Sequence, residues 1–158
     1  MSAGNNEVYW ITARNGQIPP NAIELGVERS GQYIYAARAN YENGLHIGHV
    51  SLNSGGMSLG YGGRHVVLQE YEVLCGNASK IMWLEPRKNP GNSGIVPPSN
   101  ILEAGFEADG KKLYIAKAVH NGNAQIVGKC GGHLSNGIEY GYEGQSHSRD
   151  KYFCLVYA

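Results

Sequence analysis

The sequence is poor in charge and has no excess of either sign. Of 158 residues, 16% are Asp, Glu, Lys or Arg, and 13 acidic residues balance 13 basic ones. A chain without net positive charge matches a phosphate backbone poorly, so nucleic-acid binding is not expected. Cysteine is scarce: Cys75, Cys130 and Cys154 make an odd count, which excludes a fully paired disulfide framework and predicts buried free thiols. No apolar run approaches the roughly 18 residues of a membrane-spanning helix. The polar start, Met1 to Glu7, lacks the apolar core of a signal peptide. These absences predict no membrane insertion and a cytoplasmic or non-classically secreted chain. Long amphipathic helical periodicities are missing as well.

Glycine and tyrosine are abundant instead, at 23 and 11 residues. The glycines follow no collagen-like period. A hydrophobic content of 42% can supply a sizeable core and excludes global disorder. Short β-branched and tyrosine-rich runs alternate with Gly, Asn, Asp and Ser. Examples are Gln32–Ala37, His65–Leu68, Tyr71–Leu74, Lys112–Ala116 and Tyr152–Val156. Each has strand length and turn residues at its ends, which predicts an all-β fold. Ser30-Gly31 and Asp109-Gly110 fall between such runs and predict hairpin turns.

The chain also resembles itself. Pro19-Pro20 matches Pro97-Pro98, and Glu28, Gly31, Tyr35 and Ala39 match Glu107, Gly110, Tyr114 and Ala118. Further along, Gly48-His49 matches Gly128-Lys129, and Gly60-Tyr61 matches Gly141-Tyr142. The offset between partners grows by one position at each of these steps, and such single-position drift is what loop insertions produce. Trp10 and Trp83 stand upstream of the two Pro-Pro steps. The chain is therefore read as two copies of one unit, 8–79 and 80–158. Two copies are too few for an open solenoid. They are expected to pack about a pseudo-two-fold axis as one compact domain.

Several chemical motifs fail on context. Gly56-Met57-Ser58-Leu59-Gly60 fits the G-x-S-x-G of a nucleophile elbow, but no helix pattern follows it and the second copy has no equivalent serine. It is read as a β-turn, and no enzyme activity is expected. Gly128-Lys129-Cys130 misses the phosphate-loop spacing, because position 123 is Asn and position 130 is Cys. Of the six histidines, His46 and His49 are three apart, which on a strand points them to opposite faces. No cysteines have zinc-ligand spacing. Neither a metal nor any other cofactor is expected.

The informative constellation is duplicated. Gly26-Val27-Glu28 and Gly105-Phe106-Glu107 place one acid in each copy. A basic residue then follows a glycine at nearly the same distance downstream, at Gly48-His49 and at Gly128-Lys129. On adjacent strands, a carboxylate and a cationic donor could clamp vicinal hydroxyls through charge-assisted hydrogen bonds. Tyr41, Tyr61 and Tyr142 could lie on the apolar face of a sugar ring, with His120 as a further supporting candidate. The competing reading makes each couple a surface ion pair worth about 0–1 kcal/mol. The chain would then be a non-catalytic protein-interaction or structural module of the same fold, without sugar binding.

The residues carrying the repeat are Trp10, Pro19-Pro20, Gly26-Val27-Glu28, Tyr35, Arg38-Ala39 and Gly48-His49. Their counterparts are Trp83, Pro97-Pro98, Gly105-Phe106-Glu107, Tyr114, Lys117-Ala118 and Gly128-Lys129. In this order they closely resemble the DM9 repeat family, which includes tandem mannose-binding lectins of bivalves and the N-terminal domains of natterin-like proteins. The resemblance covers essentially the whole chain. It implies a β-rich pseudo-symmetric domain, metal-independent recognition of mannose-containing glycans with one site per repeat, a role in microbial recognition or innate immunity, and a homodimer. It also implies that an acid and a lysine hold the sugar, here Glu28 with His49 and Glu107 with Lys129. Both acids are Glu where the family often has Asp, and His49 replaces the lysine in copy one. Copy two is thus expected to be the better site. The His49 site is expected to respond to mildly acidic pH, near the ordinary imidazole pKa of about 6.5. The chain stops after the second repeat, so no pore formation is expected.

Overall fold

The structure is a computed structural model that describes residues 7–158. Seven strands arise from the first copy: β1 (Val8–Arg14), β2 (Gly26–Val27), β3 (Tyr33–Tyr41), β4 (Gly44–Val50), β5 (Met57–Tyr61), β6 (Arg64–Leu68) and β7 (Glu70–Gly76). The second copy opens with β8 (Ile81–Leu84) and adds a small hairpin of its own, β9 (Arg87–Lys88) and β10 (Ile95–Val96). It continues with β11 (Glu103–Phe106), β12 (Lys112–His120), β13 (Ala124–Cys130), β14 (Ile138–Tyr142), β15 (Gln145–Arg149) and β16 (Phe153–Tyr157). Among the described residues the only helical element is one 3-10 turn, Ala78–Lys80. The fold is all-β, and every strand-like run named above lies largely within a strand.

The two copies follow the same antiparallel path. In the first, β1 pairs β7, β7 pairs β3, β3 pairs β2 and β4, and β4 leads through β5 to β6. In the second, β8 pairs β16, β16 pairs β12, β12 pairs β11 and β13, and β13 leads through β14 to β15. The copies are joined by a reciprocal exchange: β2 pairs β13 of the second copy, and β11 pairs β4 of the first. The result is one hydrogen-bonded network of 14 strands with pseudo-two-fold symmetry.

Burial follows from the alternation of side chains along these strands. Ile34, Ala36, Ile47 and Leu74 of the first copy share a core cluster with Leu113, Ile115, Ile126, Tyr140 and Leu155 of the second. The repeated Trp and Arg/Lys positions have a common structural use. The Arg38 guanidinium lies 4.1 Å from the centroid of the Trp10 ring, and the Lys117 ammonium lies 4.8 Å from that of Trp83. Such cation–π contacts contribute about 0.5–2 kcal/mol each. All three cysteines are buried and free, and burial raises their thiol pKa values.

Both expected hairpin turns are present. The Gly31 N–H donates to the Glu28 carbonyl and the Gly110 N–H to the Glu107 carbonyl, each at 2.9 Å, with φ of 91° at both glycines. One expectation is corrected: Ser58 is not in a β-turn. It sits within β5, opposite both His49 and Val67, and its neighbours Met57 and Leu59 are fully buried. The apolar demand of those neighbours draws the segment into the sheet.

The exchange of β2 and β11 requires glycine. A Cβ on Gly26 would stand 2.2 Å from the Gln125 carbonyl oxygen, and one on Gly105 would stand 2.2 Å from that of Leu45. At Gly132 the nearest atom to such a Cβ is 3.4 Å away. Gly105→Ala should therefore destabilise the fold by about 1–3 kcal/mol, the usual cost of overpacking. Gly132→Ala should be close to neutral. Equal denaturation midpoints for the two variants would contradict this account of the junction.

Candidate functional site

Strand β4 carries His46 and His49, and both are about 1% exposed. Their odd spacing sends them to different sites, as the strand period requires. His46 meets the second copy's acid and lysine, while His49 lies with the first copy's acid.

In the copy-two site, Lys129 of β13 is buried, and its Nζ donates to His46 Nδ1 at 3.0 Å. The Glu139 carboxylate is 3.8 Å from Nζ, and the Tyr61 ring centroid is 5.2 Å from it. Burial pulls the Lys129 ammonium below the ordinary lysine pKa, against the opposing pull of Glu139 and Glu107. Burial likewise raises the Glu139 carboxyl. Glu107, at the start of its turn, has Oε2 2.7 Å from His133 Nε2. Its Oε1 lies 3.9 Å from His46 Nε2. Among the described residues, Glu107 and Lys129 form no direct ion pair, because His46 stands between them. Tyr41 packs edge-on against Tyr61, with centroids 5.0 Å apart.

The copy-one site is a cavity of about 500 Å³ whose lining includes Glu28, His49, Asn53, Ser58, His65 and Tyr142. Asn53 Nδ2 donates to Glu28 Oε2 at 3.3 Å. His49 Nδ1 is 3.3 Å from the Val127 carbonyl oxygen. A carbonyl can only accept, so the ring proton sits on Nδ1 and Nε2 is left as an acceptor. Ser58 Oγ lies 2.9 Å from His65 Nε2, and His65 Nδ1 accepts from the Gly144 N–H at 2.9 Å. His65 therefore keeps its proton on Nε2 and donates it to Ser58. In that state the imidazole cannot take the serine proton, and Ser58 is a hydroxyl donor rather than an activated nucleophile. His120 is buried beside Tyr142, with ring centroids 5.1 Å apart.

The structure brings all the candidate residues into two sites, with a partnership that the repeat alone does not predict. The aromatic wall of each site belongs to the other copy: Tyr61 faces Lys129 with Tyr41 packed edge-on against it, while Tyr142 lines the cavity of Glu28 and His49 with His120 beside it. The acids and bases are also not on adjacent strands. Glu28 follows β2, which pairs β3 and β13, whereas His49 lies on β4. Neither couple is a surface ion pair, because His49 and Lys129 are buried. The expected titration of His49 near pH 6.5 is corrected as well. Burial lowers its pKa to about 4, so it is neutral at physiological pH and presents an acceptor. Sequence reasoning passed over Asn53, His133 and Glu139. The repeat register could have found them, since Asn53 aligns with His133 in step with Gly48 and Gly128, and Ser58 aligns with Glu139 in step with Gly60 and Gly141. Among the described residues, no group of three or more His, Cys, Asp or Glu side chains is placed to hold a metal ion. No helix among them is long and apolar enough to cross a membrane.

The DM9 repeat family model matches the chain twice, over residues 1–68 and 50–149. No curated protein matches it.

The buried histidines set a pH dependence. His46 and His49 have folded pKa values of about 4 against 6.5 for an unperturbed imidazole, both chiefly through burial. Between those values the unfolded chain binds more protons, so the stability is complete above about pH 6.5 and is lost as pH falls towards 4. Each histidine contributes on the order of 3 kcal/mol across this window. The unfolding midpoint of the wild type should fall from pH 7 to 4, and that of His49→Gln should fall less steeply. Parallel curves would refute the assignment.

Proposed function

The chain belongs to the DM9 repeat family, and from that premise we propose that it is a metal-independent carbohydrate-binding protein that recognises mannose-type glycans, with one site per repeat. One observation carries the reading. Lys129 is buried with three N–H donors, and among the described residues His46 Nδ1 is its one side-chain hydrogen-bond partner, while a carboxylate and the face of a tyrosine stand beside it. An unsatisfied buried donor is costly, and uncharged hydroxyls are groups that can satisfy it next to a carboxylate acceptor. The Tyr61 ring offers the apolar surface that a sugar's C–H face needs.

The two sites offer different hydrogen-bonding sets. Copy two presents donors at Lys129 and acceptors at Glu107 and Glu139. Copy one presents acceptors at Glu28 and His49 and a donor at Ser58. Copy two is the stronger mannose site in this reading, because its charged donor, Lys129, is buried, whereas the charged donor lining the copy-one cavity, Arg29, is half exposed and already paired with Glu143. The polarity of the Ser58–His65 contact supports a binding rather than a catalytic role. Two sites per chain, doubled in a homodimer, would supply avidity for arrayed glycans, consistent with a role in microbial recognition.

Methyl α-mannoside should bind with Kd on the order of 0.1–1 mM, equivalent to roughly 4–5.5 kcal/mol, and EDTA should not change it. Lys129→Met should weaken copy-two binding at least tenfold, as expected from loss of a hydrogen bond to a charged group worth about 1.5–3 kcal/mol. Calorimetry that detects no binding of any neutral sugar would overturn the proposal.

A further inference from the structure

We infer that His46, from the first repeat, is a direct ligand of the second repeat's site, seating one sugar hydroxyl between its Nε2 and Glu107 Oε1 while the adjacent hydroxyl accepts from Lys129. The inference rests on the sugar-binding reading of Glu107 and Lys129 and specifies its ligand as an uncharged vicinal diol.

The first support is an orphaned atom. Among the described residues, His46 Nε2 is the one buried side-chain nitrogen or oxygen without a hydrogen-bond partner. Buried polar groups are nearly always satisfied, so this atom calls for a partner.

The second support is the proton's position. Lys129 as an ammonium can only donate, so His46 Nδ1 is the acceptor of their 3.0 Å contact and the ring proton lies on Nε2. The orphan is thus an N–H donor. Glu107 Oε1, 3.9 Å away, is an acceptor too distant for a direct bond. One oxygen at about 2.7–3.0 Å from each spans that gap.

The donor and acceptor pattern selects the ligand's chemistry. The bridging atom must accept from His46 and donate to Glu107, which a hydroxyl does. An ammonium cannot accept from the N–H, and a carboxylate would meet the Glu107 charge. Lys129 Nζ retains N–H groups beyond the one given to His46, and these suit a neighbouring hydroxyl oxygen. Tyr61 is edge-on to the His46 ring at 5.0 Å and faces Lys129, which fixes both groups along one wall.

The arrangement is specific to one repeat. By strand register, His46 pairs with Ala39 as Ile126 pairs with Ala118, so Ile126 occupies the matching position in copy two. An isoleucine supplies no side-chain N–H, so it cannot make this contact in copy one's site. The His46–Lys129–Glu107 site therefore exists only when the two repeats fold together.

The test is nitrogen-15 NMR of the histidine side chains in the intact chain, titrated with methyl α-mannoside. The His46 Nε2–H resonance should move with the same saturation curve as Lys129 Nζ. His46→Phe, which keeps a ring against Tyr61, should weaken copy-two binding at least tenfold and leave the response of the His49 cavity unchanged. If Lys129 responds to the sugar, and Lys129→Met abolishes that response, but His46 Nε2 stays fixed, the inference fails while the lectin reading stands. If neither residue responds to any neutral sugar, the lectin reading fails and takes the inference with it. Should His46→Phe not fold, the wild-type Nε2 shift alone decides.

Discussion

The reciprocal pairing of β2 with β13 and β11 with β4 is the constraint from which the rest of the molecule follows. Each bridge is short, with single register pairs at Val27–Gln125 and Phe106–Leu45. Each also carries an acid at its exit: Glu28 follows β2 and Glu107 follows β11. Exchanging the short strands therefore hands each acid to a site that the other copy helps to build. Gly26 and Gly105 permit this, because a side chain at either would occupy the space of a carbonyl from the opposite copy. The same constraint lets buried apolar residues of both copies share one large cluster, beside a smaller one built by the first copy alone.

The sites inherit both their strength and their cost from this junction. A buried ammonium is expensive unless partnered, by several kcal/mol in a real protein. Lys129 meets that demand with a neutral imidazole, a carboxylate at longer range and a tyrosine face. At the equivalent position His49 avoids the charge altogether, since burial keeps it neutral. The two repeats have thus reached different electrostatic solutions at one backbone position: a charged donor at Lys129 and a neutral acceptor at His49. The neutral overall balance of the chain agrees with this use of charge, one residue at a time inside shaped sites rather than as a surface field.

The fold was largely legible from residue order. Alternating Tyr- and Val-rich runs marked the strands, and the slowly drifting register of matched positions, from Pro19 with Pro97 to Tyr61 with Tyr142, marked the repeat. Asp109-Gly110 and Ser30-Gly31 marked their turns because a left-handed backbone favours glycine. The acids and their basic companions were legible for the same reason as the repeat, because they recur as paired positions. What the order of residues hid is which copy supplies each wall. Tyr61 and Lys129 are far apart along the chain, and only the crossing of strands brings them together. His46 was hidden more deeply, because its counterpart is Ile126 and a search for repeated chemistry passes over an unrepeated residue. Ser58 misled through its flanking glycines, which suggested a turn, whereas the burial of Met57 and Leu59 holds the segment in the sheet.

The central claim is that each binding site is built from both repeats. A crystal structure of the chain soaked with methyl α-mannoside tests it most directly. The account predicts a sugar in the second repeat's site with hydroxyls on Glu107 and Lys129 from that repeat, and with Tyr61 and His46 of the first repeat against it. A sugar held entirely by residues of one repeat, or bound away from Glu107 and Lys129, would contradict it.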